Sequence, residues 1–277
     1  MALPMKKVVH GIFDSLKRSS MLQEERMSLI INHLSRQPTV TVNELVALCN
    51  VTSETVRSDL KKLEKMSLLT RRHGGAIKSA LHDETPHLQR ELTNKTLKIG
   101  IAKKIIEEIE LYDQIILDAS STSLCVSQAL PNMPLTILTN SLLVENELAG
   151  KDKIDVVSIG GTLLRSSLCF VGYTASLTLS NYHVNKAFIS CRGIHNALGA
   201  SEPNELAVMV KRKMIEVADA TYLMMDSTKF GVQDFIQVAT LNAFSYIYTD
   251  SNITDEQLAP FEIYREKVRV CPVAEGQ

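Results

Sequence analysis

Between residues 23 and 36, apolar side chains recur at Met27, Ile30, Ile31 and Leu34. That spacing is i, i+3, i+4, i+7, one face of a helix, and Pro38 stops it. The stretch TVTVNELVALCN predicts a short second helix, capped by Asn43, apolar from Leu45 to Leu48 and ending at Cys49. VTSETVRSDLKKLEKMSLL predicts a third, with Thr52 or Ser53 as its N-cap and Val56, Leu60 and Leu63 as its buried stripe. Only the residues NVT separate the second and third helices, and Val51 can plug the space between them. Two short helices joined by so tight a turn have the form of a helix-turn-helix. SLLTRRHGGAI then alternates weakly into a glycine pair, which fits a β-wing. Glycine permits positive φ and close backbone approach there.

Beyond this front segment, KSALHDETPHLQRELTN is polar, contains Pro86 and lacks a sustained apolar stripe. It reads as a linker. KTLKIGIAKKIIEEIEL predicts an amphipathic helix with Ile99, Ala102, Ile106 and Ile109 inward. Short apolar strands then alternate with helices: QIILDA, LTILTN, IDVVSIGG, KAFISCRGI, ATYLMMDSTKFG and AFSYIYTD are the strands. Such alternation implies an α/β domain with a mostly parallel sheet. The expected organisation is an N-terminal extension at 1–20, a winged helix-turn-helix of α/β class at 21–79, a linker at 80–94 and a second domain at 95–277. Residues 1–20 could be an added helix, or translation could begin at Met21.

Composition narrows the possibilities. Hydrophobic residues make up 45% of the 277, the balance of a folded chain without disordered bias, and no apolar run reaches bilayer-spanning length. The opening residues are apolar only briefly, so no signal peptide is expected and the reading is cytoplasmic, with no membrane partner. Five scattered cysteines form no CxxC pair and have no histidine at ligand spacing. Free thiols in a reducing compartment are expected, with no metal and no cofactor. The net charge of −1 is uneven: residues 1–80 hold 13 Lys+Arg against 7 Asp+Glu, whereas the remainder holds 17 against 24. A basic front suits a polyanion, although solvated helical faces are often basic too.

Chemistry follows from position. Off the apolar stripe, the third helix carries Thr52, Ser53, Thr55, Arg57, Ser58 and Lys61. Hydroxyls in the first turn with basic residues behind them suit a helix entering the major groove of double-stranded DNA. The same pattern also serves an ordinary amphipathic helix with a solvated face. Arg71, Arg72, His73 and Gly74 would then lie at the DNA backbone or minor groove. Asp59 suits a structural hydrogen bond better than base reading, since phosphates repel an unpaired carboxylate.

In the second domain, ligands of parallel sheets bind at the carboxyl ends of strands. Those ends carry Asp118, Ser120, Ser121, Thr122, Thr139, Asn140, Gly160, Gly161, Gly193, Asp226 and Lys229. SSTS before a helix offers hydroxyls and N–H groups to an anion, and is equally a good helix cap. Lys229 could add a charge-assisted contact, or could be a solvent-facing turn residue.

The stretch TVTVNELVALCNVTSETVRSDLKKLEKMSLLTRRHGGA resembles the winged helix-turn-helix of the DeoR/GlpR family of bacterial sugar-operon regulators. That family carries a Val-Ser turn, a Thr-[Val/Ile]-Arg-Arg-Asp-Leu recognition helix and an Arg-x-His-Gly-Gly-Ala wing. LDASSTS, TNS, GGTLLRSSLCFVG, CRGI, VKRKMI and DSTKFG resemble its sensor domain, which is similar to ribose-5-phosphate isomerase, glucosamine-phosphate deaminase and CoA-transferase-like folds. The resemblance implies a regulator, expected to repress a carbohydrate-catabolic operon, that binds operator DNA and a phosphorylated sugar or sugar derivative as a homodimer or homotetramer.

Departures from the pattern are Ser58 for an arginine and Ser67, Ser120 and Ser190 for glycines. Arg192 occupies a variable position, where it could bind a second anionic group or form a surface salt bridge. No catalytic residue is expected. The competing reading is a sugar-phosphate isomerase or deaminase with an accessory DNA-binding head, for which Asp118, Glu205, Asp226 and Lys229 are the acid/base candidates. In the regulator reading Glu205 and Arg192 belong with the effector-binding residues.

Overall fold

Helix α1 (Gln23–Arg36) forms where the apolar stripe predicts it, with Met27, Ile30, Ile31 and Leu34 buried. Glu24 and Glu25 in its first turn complement the positive end of the helix dipole. The computed structural model describes residues 21–66, 68–78 and 87–274, so the N-terminal extension, Ser67, residue 79 and the first part of the expected linker, 80–86, lie outside the described residues. The chain divides into two compact units, Met1–Ala80 and Leu81–Gln277.

In the first unit a short strand, β1 (Thr39–Thr41), precedes α2 (Val42–Cys49). Thr41, not Asn43, caps α2. Its hydroxyl accepts from Glu44 N at 3.2 Å, while the Glu44 carboxylate accepts from Thr41 N at 2.7 Å. That reciprocal box satisfies two otherwise open donors, which a cap two residues later would leave unmet. The buried face is accordingly Val42, Leu45 and Cys49, and Leu48 is exposed. Asn50 turns the chain in the left-handed region at φ 51°, and α3 (Ser53–Lys65) begins after the Thr52 cap. Val56, Leu60 and Leu63 pack inward.

The wing is a hairpin of β2 (Leu69–Arg72) and β3 (Gly75–Lys78), and β3 also pairs antiparallel with β1. Gly74 makes its turn at φ 80°. A Cβ on Gly75 would sit 2.1 Å from the Val40 carbonyl oxygen, so only glycine lets β3 close on β1.

Asp59 is the polar centre of this unit. It is 1% exposed and accepts from Gln23 Nε2 at 2.7 Å and Arg26 Nε at 2.8 Å. The carboxylate therefore ties α3 to α1. Asp59→Ala leaves Arg26 without its carboxylate partner and should lower the unfolding free energy of this unit by about 2 kcal/mol, read by urea denaturation. An unchanged midpoint would contradict the assignment.

The second unit is built on a seven-stranded sheet in the order β15-β14-β12-β9-β4-β5-β6, all pairs parallel. Its strands are β4 (Gln114–Leu117), β5 (Leu135–Thr139), β6 (Ile154–Ser158), β9 (Val184–Ile189), β12 (Ala218–Met224), β14 (Tyr246–Asp250) and β15 (Val268–Cys271). Alternate strand residues serve opposite faces. Ile116, Ala187 and Leu223 belong to one apolar cluster with α8 (Tyr173–Leu179) and α9 (Glu205–Glu216). Ile115, Leu117, Phe188 and Met224 belong to the other, with α5 (Lys95–Ile106), α6 (Ser121–Ala129) and α7 (Leu142–Leu148). The result is a helix–sheet–helix sandwich, the α/β class expected from the alternation.

Three features differ from the expected pattern. The segment read as linker contains a helix, α4 (His87–Leu92), whose His87, Gln89 and Leu92 are buried, so this part of 80–94 folds with the second unit. The buried face of α5 is Leu97, Lys98, Ile101, Ala102 and Ile105; Ile99 and Ile106 pack only partly, beside the core. Gly193 does not end a sheet strand. It opens β10 (Gly193–His195), which with β11 (Gly199–Glu202) and β13 (Ile236–Ala239) makes a separate antiparallel sheet. A second small hairpin joins β7 (Thr162–Leu164) to β8 (Cys169–Val171). No helix among the described residues is long and apolar enough to cross a membrane.

Candidate functional site

Two surfaces carry the residues singled out from the sequence. On the first unit, Thr52 caps α3 by accepting from Thr55 N at 3.2 Å, and the Thr52 and Thr55 hydroxyls lie 3.0 Å apart. Arg57 Nη1 donates to Ser53 Oγ at 3.3 Å, one turn earlier on the same face. Arg57, Ser58 and Lys61 are exposed. Arg71, Arg72, His73 and Gly74 form the exposed wing tip, with the Arg71 guanidinium 3.7 Å from Glu64. An exposed ion pair of this kind contributes little to stability.

On the second unit, the carboxyl ends of the parallel strands build a continuous polar array. Asp118 follows β4 and is 1% exposed. One of its oxygens accepts from Ser120 N at 3.1 Å and Ser123 Oγ at 2.7 Å; the other accepts from Ser190 N at 3.0 Å and Lys211 Nζ at 2.7 Å. Lys211 also lies 3.1 Å from Glu202 and donates to the Ser190 carbonyl. Across Ser190, Lys229 Nζ donates to the serine hydroxyl at 2.9 Å and lies 3.9 Å from Asp226. Asp226 accepts from Asn94 Nδ2 at 3.1 Å and from the Thr228 hydroxyl. Glu202, Lys211, Asp118, Ser190, Lys229, Asp226 and Asn94 are thus one chain of contacts.

Local structure positions each member. Ser120 caps α6 by accepting from Ser123 N at 3.0 Å, and its φ of −84° is one that any residue adopts. Lys229 ends the 3-10 turn Ser227–Lys229 that follows β12. Lys211 projects from the middle of α9, three residues after buried Val208 and three before buried Met214.

The electrostatics follow from burial and pairing. Burial alone would raise the Asp118 carboxyl, but the Lys211 charge and the serine hydrogen bonds outweigh it and hold the group below the usual carboxylate range. Lys211 is held above its ordinary value: burial works against its charge, and Asp118 and Glu202 more than offset it. Asp226 is likewise below its usual range, since Lys229 and Lys98 outweigh the effect of burial. Lys229 is lowered, burial exceeding the help it receives from Asp226. Burial pushes the Cys191 thiol up to about 12, leaving it inert, and all five cysteines are buried and outside any disulfide.

A carboxylate fixed this way by an ion pair and three further donors is a weak base for taking a proton from carbon. Asp118 is therefore poorly placed for proton abstraction.

The array gathers Asp118, Ser120, Asp226 and Lys229 from the expected set. Ser121 and Thr122 are buried in the first turn of α6; Thr139 ends β5 and Asn140 follows it, where the Asn140 amide donates to the Phe170 carbonyl at 3.0 Å. Gly160 and Gly161 lie past the end of the edge strand β6, at positive φ. Arg192 is half-exposed, its guanidinium 4.0 Å from Asp234, and Gly193 packs its Cα against the Val232 backbone. Glu205 is exposed on the first turn of α9; the carboxylate that joins the array is Glu202.

The sequence reading passed over Lys211, Glu202, Asn94 and Lys98. The overlooked signal is a lysine on an apolar stripe. Lys98 is 3% exposed, stands three residues before Ile101, and donates to the carbonyls of Thr93, at 2.5 Å, and Arg90.

Burial lowers Lys98 to about 8. Between pH 8 and its ordinary value the unfolded chain holds a proton that the folded chain lacks, so this group's destabilising contribution fades as pH rises through that window. Lys98→Met should therefore stabilise the protein more at pH 7 than at pH 9.5, measured by denaturant midpoints. A constant difference would contradict the assignment.

Residues 26–80 match the family model for a DeoR-like helix-turn-helix domain, and residues 93–251 match that for the DeoR C terminal sensor domain. The uncharacterized HTH-type transcriptional regulator YulB of Bacillus subtilis is 40% identical over 257 residues, covering 92% of this chain and 99% of its own. The L-fucose operon activator of Haemophilus influenzae is 35% identical, over 83% of this chain and 93% of its own. Among solved structures, ribose 5-phosphate isomerase A from Methanocaldococcus jannaschii aligns with a TM-score of 0.37 and 15% identity, over 49% of this chain and 54% of that one.

Proposed function

Because this chain belongs to the DeoR family of DNA-binding transcriptional regulators, we propose that it represses a carbohydrate-catabolic operon and that a phosphorylated sugar at the strand-end array modulates its hold on operator DNA. Helix α3 reads bases through Thr52, Ser53, Thr55, Arg57, Ser58 and Lys61, while Arg71, Arg72, His73 and Gly74 of the wing meet the backbone or minor groove. One small winged head makes few base contacts, so the operator-bound form is at least a homodimer reading two half-sites. Asp226 accepts a hydroxyl, Lys229 meets the phosphate, and Asp118, its oxygens taken by Ser120, Ser123, Ser190 and Lys211, holds the site in place.

The observation that carries this reading is the linked array from Glu202 to Asn94 at the carboxyl ends of the parallel strands. Buried charges held in place without a committed catalytic base suit recognition of a polar ligand. For that ligand to act as a signal it must prefer one conformation of the protein; equal affinity for both shifts nothing.

The Haemophilus influenzae relative is named an activator, which favours a second sign for the same parts. Repression or activation then depends on where the operator lies relative to the promoter. Fluorescence anisotropy with the DNA upstream of the chain's own operon tests the reading. Binding that weakens steeply with salt is expected. No binding under any phospho-sugar condition would refute it. Turnover of ribose 5-phosphate or glucosamine 6-phosphate above an Asp118→Ala control would favour the isomerase-like alternative.

A further inference from the structure

Among the described residues, three buried polar atoms around the array have no hydrogen-bond partner: Nε2 of His87, Nε of Arg90 and Oδ1 of Asn140. Two of them belong to α4, the first described element after the boundary at residues 80 and 81. This helix is held from several sides. His87 N donates to the Ser166 carbonyl at 2.8 Å, and Arg90 Nη2 donates to Ser167 Oγ at 2.9 Å, both in the turn of the β7–β8 hairpin. Lys98 donates to the carbonyls of Arg90 and Thr93 at its other end. Asn94, two residues beyond it, donates to Asp226 and to Thr228 Oγ1, each at 3.1 Å. Helix α4 also packs on α6, whose first turn binds Asp118 through Ser123. The helix therefore spans from the Asp226–Lys229 turn to the hairpin that Asn140 reaches through Phe170.

The charge balance of this wall is lopsided. Asp118 and Glu202 are engaged by Lys211, and Asp226 by Lys229, Asn94 and Thr228. Arg90 has no carboxylate partner among the described residues, and Lys98, although the Asp226 charge reaches it, hydrogen-bonds to neutral carbonyls. A buried guanidinium N–H without an acceptor is costly, and native proteins leave few of them. Burial, together with Arg90 and Lys98, pushes His87 down to about 3, so its imidazole is neutral. The open positions thus ask for an acceptor oxygen of negative charge at Arg90 and a hydroxyl donor at Asn140.

We propose that α4 is a wall of the ligand site, in which Arg90 Nε binds an anionic oxygen while Asn140 Oδ1 accepts from a hydroxyl of the same molecule. This rests on the reading of the array as a sugar-phosphate site and adds its second cationic contact. A polyhydroxylated phosphate ester satisfies both open positions at once. The ligand then touches the first described helix of the second unit.

The test uses the full chain with two probes, inorganic phosphate and ribose 5-phosphate, at constant ionic strength. Thermal stabilisation is followed for wild type, Arg90→Gln, Arg90→Lys and Lys229→Gln, alongside the Arg90 Nε–H resonance in wild type, assigned by its loss in Arg90→Lys. Arg90→Gln should raise the half-saturating probe concentration about tenfold or more, the worth of one charged hydrogen bond. The Arg90 Nε–H resonance should move on saturation. If Lys229→Gln loses the response while Arg90→Gln keeps it and the resonance stays still, α4 is not part of the site, although the array remains one. If neither probe affects the wild type, the sugar-phosphate reading and this proposal fall together. Should Arg90→Gln fail to fold, the wild-type resonance decides alone.

Discussion

Lys211→Met should lower the stability of the second unit by about 3–5 kcal/mol, the usual consequence of removing one partner from a buried ion pair. Asp118 is 1% exposed and Lys211 11%, so neither charge reaches bulk water. Without the ammonium, the carboxylate keeps its contacts from Ser120, Ser123 and Ser190 but loses the charge that offsets its burial. Its affinity for protons then rises, and the variant's stability should improve relative to wild type as pH falls towards the carboxylate range. Adding Asp118→Asn to Lys211→Met should recover part of the loss, because the unpaired charge is gone. Urea denaturation of the four proteins of this cycle gives the coupling directly. Additive effects would mean that the two groups do not act as a pair.

Replacing Arg71 and Arg72 together by alanine should weaken operator binding on the order of a hundredfold and lower the salt slope by about 2. Both side chains are exposed on a hairpin whose turn depends on Gly74, and the Arg71 guanidinium makes only a loose contact with Glu64, whose firmer bond is to the Arg71 backbone N–H and survives the substitution. Their loss should leave stability almost unchanged, which separates a DNA contact from a folding defect. The reduction should be similar across operator variants, whereas Arg57→Ala on α3 should relax discrimination at particular base pairs. An unchanged salt slope in the double variant would take the wing out of the interface.

Both units were largely legible from periodicity. The stripe Met27, Ile30, Ile31, Leu34 and the stripe Val56, Leu60, Leu63 are long enough to define helices, and all seven side chains are buried. Apolar strands such as QIIL and LTILT, buried on both faces, likewise declare a parallel sheet. The β10–β11–β13 sheet was not legible because its strands are three or four residues long, and Gly-Ala-Ser-Glu carries no alternation to read. Helix α4 escaped because six residues cannot establish a period, and Pro86 just before it reads equally as a linker or a helix start.

The candidate site was half visible. Strand-end residues such as Asp118 and Asp226 are marked by position alone, since an apolar run that stops at a carboxylate shows where the sheet ends. Lys98 and Lys211 come from helices, and a lysine is ordinarily assigned to the solvent face. Here each occupies the register of its neighbours' apolar stripe, so the mismatch of residue type and register was the available sign. Glu202 could not be told from Glu205 because the difference lies in where β11 ends and α9 begins, and boundaries are the least certain part of any pattern.

The central claim is that occupation of the strand-end array by a phosphorylated sugar changes operator affinity. Its most direct test is the dissociation constant of the operator complex, at fixed salt, across a panel of phosphorylated sugars and their unphosphorylated parents. One phosphorylated member should shift the constant by at least about tenfold, its parent should not, and Lys229→Gln should abolish the shift while leaving ligand-free DNA binding intact. A constant that stays the same with every phosphorylated sugar, or a shift that survives Lys229→Gln unaltered, would contradict the account.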